Sequence, residues 1–169
     1  LYILRKGKLM NRRISIEVLG TNVKAIAELY EDDAPKTCET LWGALKNPLE
    51  AKAIHAMYAG PEVFISDFPE SNKTFDPKAL PLENATAYPS PGDIGWLYIP
   101  PHNERGQRKE IWDFAFVYGR GVTFDSVLGI RPITVWAHIV EGLDEFAVQC
   151  ARIRSDDGPK VLRVKRVER

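Results

Sequence analysis

The chain is poor in cysteine: Cys38 and Cys150 are the only two thiols in 169 residues, and most of the sequence lies between them. Such a pair makes neither a disulfide framework nor a zinc site, so a reducing cytoplasm is the expected compartment, with no metal and no cofactor. An excess of one charge is also missing. The 23 Lys and Arg balance the 23 Asp and Glu, and the signs alternate along the chain, which removes the electrostatic footprint of a nucleic-acid or anionic-membrane binder. No apolar run is long enough to span a bilayer. Residues 1–4 are too short for a signal-peptide core, and the basic run follows them when it should precede. There is no glycine-x-serine-x-glycine elbow, no P-loop and no dinucleotide fingerprint, and neither cysteine stands beside a histidine in a basic loop, so covalent catalysis is not expected.

What is present is a succession of short strands. Ile14, Ile16 and Val18 alternate with polar residues, and after Gly20-Thr21-Asn22 the alternation resumes over residues 23–30, the pattern of a β-hairpin. Asp33 is placed as the N-cap of a helix over 34–46, with Pro35 in its first turn and Cys38, Leu41, Trp42 and Leu45 on one face. Strands are predicted over 50–58, 63–65, 93–99, 111–118 and 135–140. A second helix opens at Gly142 with Leu143, Phe146, Ala147 and Cys150 on its apolar face, and a last strand closes the chain at 161–167. Many strands and two helices predict a mainly β domain, a closed antiparallel barrel capped by two α-helices. The domain is taken as residues 10–169, with 1–9 as leader residues outside it and 68–92 as a long inserted loop, either functional, packed on a neighbour or mobile. Asn72-Lys73-Thr74 and Asn84-Ala85-Thr86 match glycosylation acceptors, read as chance matches in a chain with no secretory signal.

The stretch Glu31-Asp32-Asp33-Ala34-Pro35-Lys36-Thr37 and the later Val135-Trp136-Ala137-His138-Ile139-Val140-Glu141-Gly142 resemble the first helix and the late strand of cyclophilins. The order of elements agrees as well. The chain is also similar to a family of bacterial and archaeal cyclophilin-like proteins of unknown function. The resemblance implies a cyclophilin-like barrel but not a working prolyl isomerase. Where cyclophilins carry phenylalanine-histidine-arginine, this chain has Ile54-His55-Ala56, followed at the family's spacing by Gly60. The missing guanidinium is the group thought to donate to the prolyl nitrogen and lower a rotation barrier of about 18–20 kcal/mol, which a methyl group cannot do. Pro61, Glu62 and Phe64 replace the phenylalanine, methionine and glutamine of the pocket, and Ile133 stands near its histidine position.

Candidate residues follow from spacing and residue type. Tyr58, Glu62 and His102 are the candidate acid–base groups: Glu62 follows Gly60-Pro61 at a pocket-lining position, and His102 lies in the polar loop Pro100-Pro101-His102-Asn103-Glu104-Arg105-Gly106. His55, Glu104, Tyr118 and Arg120 are the candidate ligand-binding residues. Strand parity turns Ala56 and Tyr58 to one face and His55 and Met57 to the other, unless a bulge at Ala59-Gly60 re-aims the imidazole. A satisfied core histidine is the favoured reading of His55, and barrel packing accounts equally for Tyr58 and a solvated strand end for Glu62. The expected ligand is a small polar metabolite or a short peptide in the barrel groove. The alternatives are a peptide-binding module without turnover, and a residual isomerase drawing its cation from Arg105, Arg108 or Arg120. Apolar surface in 68–92 and in the aromatic strands predicts a homo-oligomer.

Overall fold

A computed structural model describes residues 11–127 and 129–168; the expectation for residues 1–9 lies outside the described residues. The first hairpin pairs β1 (Arg13–Val18) with β2 (Lys24–Leu29), and α1 (Pro35–Ala44) follows. Then come β3 (Leu49–His55), β4 (Glu62–Ile65), the two-residue β5 (Ala85–Thr86), β6 (Asp93–Ile99) and β7 (Ile111–Val117). A small hairpin, β8 (Asp125–Ser126) and β9 (Gly129–Ile130), precedes β10 (Ile133–Glu141), α2 (Leu143–Ser155) and β11 (Lys160–Arg166).

Every pairing is antiparallel. The strands run in the order β2-β1-β11-β3-β4-β7-β6-β10, and β10 returns to β2, so the sheet closes into an eight-stranded barrel with β5 added on β10. Closure leaves no long edge exposed to another chain. The interior is filled by alternate strand residues, among them Ile14, Ile16, Leu29, Ile94, Phe114 and Phe116, together with the fully buried Trp136. Each such side chain contributes on the order of 1.5–3 kcal/mol through its removal from water. The helices add their apolar faces to this core. The Cys38 thiol on α1 donates to the Trp136 carbonyl at 3.3 Å, and the Phe146 ring on α2 meets Phe116 edge-on at 6.1 Å. Burial raises the pKa of both cysteines, Cys38 to about 12, so neither thiol is a ready nucleophile.

Residues 68–92 are a belt bound to their own barrel. Phe68 is buried against Trp96, Trp112 and Phe114, and Phe75 lies on Trp96 and Trp112. Phe68 and Phe75 are thus covered within the chain, whereas Leu82 and Tyr88 of the same segment are exposed. Asn72 is fully buried, and its amide donates to the carbonyls of Ala44 and Asn47 at 2.9 Å each, capping the end of α1; Asn84 donates to the Val135 carbonyl at 2.8 Å. Both formal glycosylation acceptors are thus engaged in structure.

The same belt caps the start of α1. Asp33 does not serve as the cap: the N-cap position is Ala34, whose methyl group has no acceptor to offer. The Glu83 carboxylate takes over, receiving the Lys36 and Thr37 N–H groups at 3.3 and 2.9 Å and the Thr37 hydroxyl at 2.9 Å. A carboxylate on a helix N-terminus is favoured both by those donors and by the helix dipole. Glu83→Ala is expected to cost about 1–2 kcal/mol, read as a lowered melting temperature by circular dichroism. An unchanged melting curve would show that the cap is dispensable.

Candidate functional site

The barrel's outer face over β4, β7, β6 and β10 carries the groups that chemistry can use. Val63 and Ile65 of β4 point into the core, so Glu62 and Phe64 take the outward positions. On β7, Trp112, Phe114 and Phe116 point inward, leaving Asp113, Ala115 and Val117 outward. Glu62 is paired with Val117 and Phe64 with Ala115; the rungs Ile94 with Phe116 and Gly95 with Ala115 set Asp93 and Gly95 on the same face. On β10 the outward residues are Ile133 and Val135. A register shift between Val135 and Ala137 then turns Trp136 and Ala137 both inward, and His138 emerges outward, paired with Asp93. One row across the sheet therefore reads Glu62, Val117, Asp93, His138.

The middle of this face is shallow and apolar. Gly95 has no side chain, and its would-be Cβ position lies 2.3 Å from the Ile133 Cδ1, so the isoleucine occupies that space. Ala115, Ile133 and Val135 form a small buried cluster against which Tyr30, Leu97 and Phe124 pack. Residues 122–127 run across it: the Thr123 N–H donates to the Ala59 carbonyl at 2.9 Å and the Phe124 N–H to the Ala87 carbonyl at 2.7 Å.

Two carboxylates stand on this face, Glu62 opposite Val117 and Asp113 four residues further along β7. Glu62 is 3% exposed, and no hydrogen bond or ion pair to its side chain occurs among the described residues. Burial pushes its pKa up to about 8. Asp113 is raised well above the usual carboxylate range, by burial first and by the charge of Glu62 second, and its Oδ1 has no hydrogen-bond partner. A carboxylate taken from water without a partner holds its proton. At neutral pH Glu62 is therefore largely protonated.

At the other end of the row from Glu62, His138 Nδ1 and Asp93 Oδ1 are 2.9 Å apart, beside a cavity of ≈ 500 Å³ lined by Tyr30, Asp33, Asn84, Thr86 and Ser90 among others.

The residues singled out from sequence fall into separate places. Glu62 joins Asp113 on the outer face. His55 takes the inward parity: its Nε2 lies 2.7 Å from the Tyr118 hydroxyl and its Nδ1 2.8 Å from the Ala56 carbonyl, on the side of α2 where Ile153 and Arg154 line a small cavity. His55 and Tyr118 thus meet each other, away from Glu62. Glu104 is ion-paired with Arg131, which ties the 100–110 loop to the segment before β10. Tyr58, His102 and Arg120 are exposed, with no side-chain partner among the described residues. His138, Asp93, Tyr30 and Asp113 were not singled out. Asp113 had a signal, an acid set alone in Ile111-Trp112-Asp113-Phe114-Ala115-Phe116; His138 had none, because the bulge that turns it outward is invisible to strand parity.

Among the described residues no group of three or more His, Cys, Asp or Glu is placed to hold a metal ion, and no helix is long and apolar enough to cross a membrane. The chain is similar in structure to McbB in complex with tryptophan, with a TM-score of 0.57 at 20% identity over 92% of this chain and 45% of that one, so it spans less than half of McbB. It is similar to the hypothetical protein AF2241 from Archaeoglobus fulgidus, with a TM-score of 0.53 at 20% identity, covering 96% of this chain and 99% of that one. A third likeness is to the Mimivirus cyclophilin, with a TM-score of 0.53 at 17% identity over 94% and 89% of the two chains. These likenesses establish the cyclophilin-like fold. No curated protein matches. Residues 14–164 match the family described as protein of unknown function DUF3830, and the chain, a cyclophilin-like barrel, belongs to that family.

Proposed function

We propose that this protein binds a small molecule bearing a protonated amine on the outer face of its barrel, with Glu62 receiving the ammonium group. One observation carries the reading: Glu62 is withdrawn from water at 3% exposure, with no basic side chain among the described residues in contact with it, and Asp113 Oδ1 on the same face is buried without a hydrogen-bond partner. Leaving such groups uncompensated costs stability, and a ligand cation is what offsets the cost. An ammonium 4 Å from one carboxylate gains about 4 kcal/mol at an effective dielectric near 20. McbB, of the same fold, is seen with tryptophan, a molecule that joins an ammonium group to an apolar ring.

A short peptide offers the same ammonium at its N-terminus, so the test separates the two ligand classes. In a thermal-shift screen, primary amines and free amino acids are expected to stabilise the native protein and not Glu62→Gln. Short proline peptides with free and acetylated N-termini form the second arm; a shift with both would favour a peptide groove that does not read the amine. No shift with any amine, or equal shifts in both proteins, would remove the proposal. Prolyl isomerisation finds no support: Ala56 offers no donor, and Arg105, Arg108 and Arg120 are all exposed. A coupled-protease assay is expected to show no acceleration of cis–trans exchange.

A further inference from the structure

Asp93 and His138 are arranged more tightly than two surface residues need to be. Asp93 is 9% exposed; one carboxylate oxygen accepts the His138 Nδ1–H at 2.9 Å and the other accepts the Ser90 N–H at 2.8 Å, so the carboxylate is fixed from two sides. In the neutral imidazole, donation of the Nδ1–H to Asp93 leaves the lone pair on Nε2. No described residue hydrogen-bonds Nε2. The ring lies against Gly92, whose φ of +94° already favours glycine, and a Cβ there would come within 2.8 Å of Cε1. Across the ring stands Tyr30, at 6.2 Å between centroids. Burial, then the charges of Asp93 and Asp33, raise the pKa of the Tyr30 phenol, which keeps it a hydrogen-bond donor. These groups face the cavity of ≈ 500 Å³.

We propose that this cavity is a proton-transfer site, in which His138 removes a proton from carbon next to the carbonyl of a small neutral molecule. Three features choose the chemistry. An oriented base and a hydroxyl donor on a facing wall are the minimum set for moving such a proton. No serine, threonine or cysteine is hydrogen-bonded to Nε2 among the described residues, so the geometry of an activated nucleophile is absent there. No lysine or arginine lines the cavity while Asp33 and Asp93 do, which disfavours an anionic substrate. In the step, Nε2 takes the proton, the C–H electron pair becomes the enolate double bond, and the carbonyl oxygen gains the charge and accepts the Tyr30 hydroxyl. The imidazolium returns a proton to carbon, so no oxidant or second reactant is required. Asp93 is the positioning residue, fixing the tautomer.

The site is independent of the ammonium proposal and is tested separately. The full chain is incubated in D2O with dihydroxyacetone, and loss of the methylene signal is followed by proton NMR. Native protein is expected to accelerate exchange with saturation, His138→Gln to lose about 100-fold or more of that acceleration, and Tyr30→Phe to lose part of it. The nitrogen NMR signature of His138 reports the positioning role: a proton on Nδ1 in the native protein, and a mixture of tautomers in Asp93→Asn. Exchange at the buffer rate, exchange retained in His138→Gln, or a native ring protonated on Nε2 alone would each overturn the proposal.

Discussion

Glu62→Gln is expected to melt well above the native protein at pH 9 and to match it near pH 4.5. The glutamine keeps the volume and hydrogen-bonding ends of the acid but removes the ionisation. Burial raises the folded-state pKa of Glu62 to about 8, against an ordinary value of 4.5. The folded state therefore binds the proton more tightly than the unfolded chain does, and the group's contribution is fully favourable below pH 4.5. It is lost progressively as the pH rises through 8, where folding must either bury a charge or hold a proton that the unfolded chain has released. At about 1.4 kcal/mol per pH unit, the loss reaches roughly 4–5 kcal/mol, or about 10 °C in melting temperature for a chain of this size. Asp113→Asn should relieve a penalty of its own, and the double variant should gain less than the sum because the charge of Glu62 is one cause of the raised Asp113 pKa. Urea melts of the native protein and Glu62→Gln from pH 4.5 to 9 check this. Parallel curves would mean that Glu62 is solvated in the folded protein and the site is misassigned.

The architecture was legible because each strand announces itself locally. The alternation of Ile14, Ile16 and Val18, the aromatic run around Phe114 and the helical face of Leu41 and Cys38 each need only their own neighbours, and closure of the barrel follows from their order. What escaped depends on distant groups. The cap of α1 was assigned to Asp33, whereas the acceptor is Glu83, 46 residues away from Thr37 in the chain. The belt at 68–92 was left open between three roles; its anchors, Phe68, Asn72 and Phe75, have no periodicity and are recognisable only by what they meet. His138 was passed over for a different reason. With Ile133 and Val135 outward, strict alternation would send 137 and 139 outward and 138 into the core, and the bulge at Trp136 reverses that parity. Of the candidate site, the position of Glu62 was readable from its spacing after Gly60-Pro61. Its partner was not, because Asp113 reaches the same face only through the pairing of β4 with β7.

Those pairings also relate the two ends of the outer face. Glu62 and Asp93 flank Val117 in one row and His138 follows Asp93, so about three strand spacings, roughly 14 Å, separate Glu62 from the imidazole. A ligand of a few heavy atoms fits one end only. The lining differs accordingly: an unpartnered acid where a cation is wanted, and an oriented base with a phenol where a neutral carbonyl is wanted.

The affinity for a primary amine is expected to rise about 50-fold between pH 6 and pH 8. Over that interval an alkylamine of ordinary pKa near 10 stays protonated, so the ligand's own charge does not change. The protein's does. With Glu62 held protonated up to about pH 8, an ammonium group can be received as an ion pair only after a proton leaves, and one proton released per ligand bound makes the association constant rise tenfold per pH unit below that pKa. The trend flattens above pH 8, and it reverses only when the amine itself titrates. Isothermal titration with a fixed amine at pH 6, 7 and 8, repeated in buffers of different ionisation enthalpy, measures both the constant and the proton count. In Glu62→Gln the residual binding should be weak and the slope reduced, because the acid that releases the proton is gone. A pH-independent constant with no proton release would mean that the ammonium is held elsewhere on the barrel, and the burial of Glu62 would then be a structural cost with no ligand to offset it.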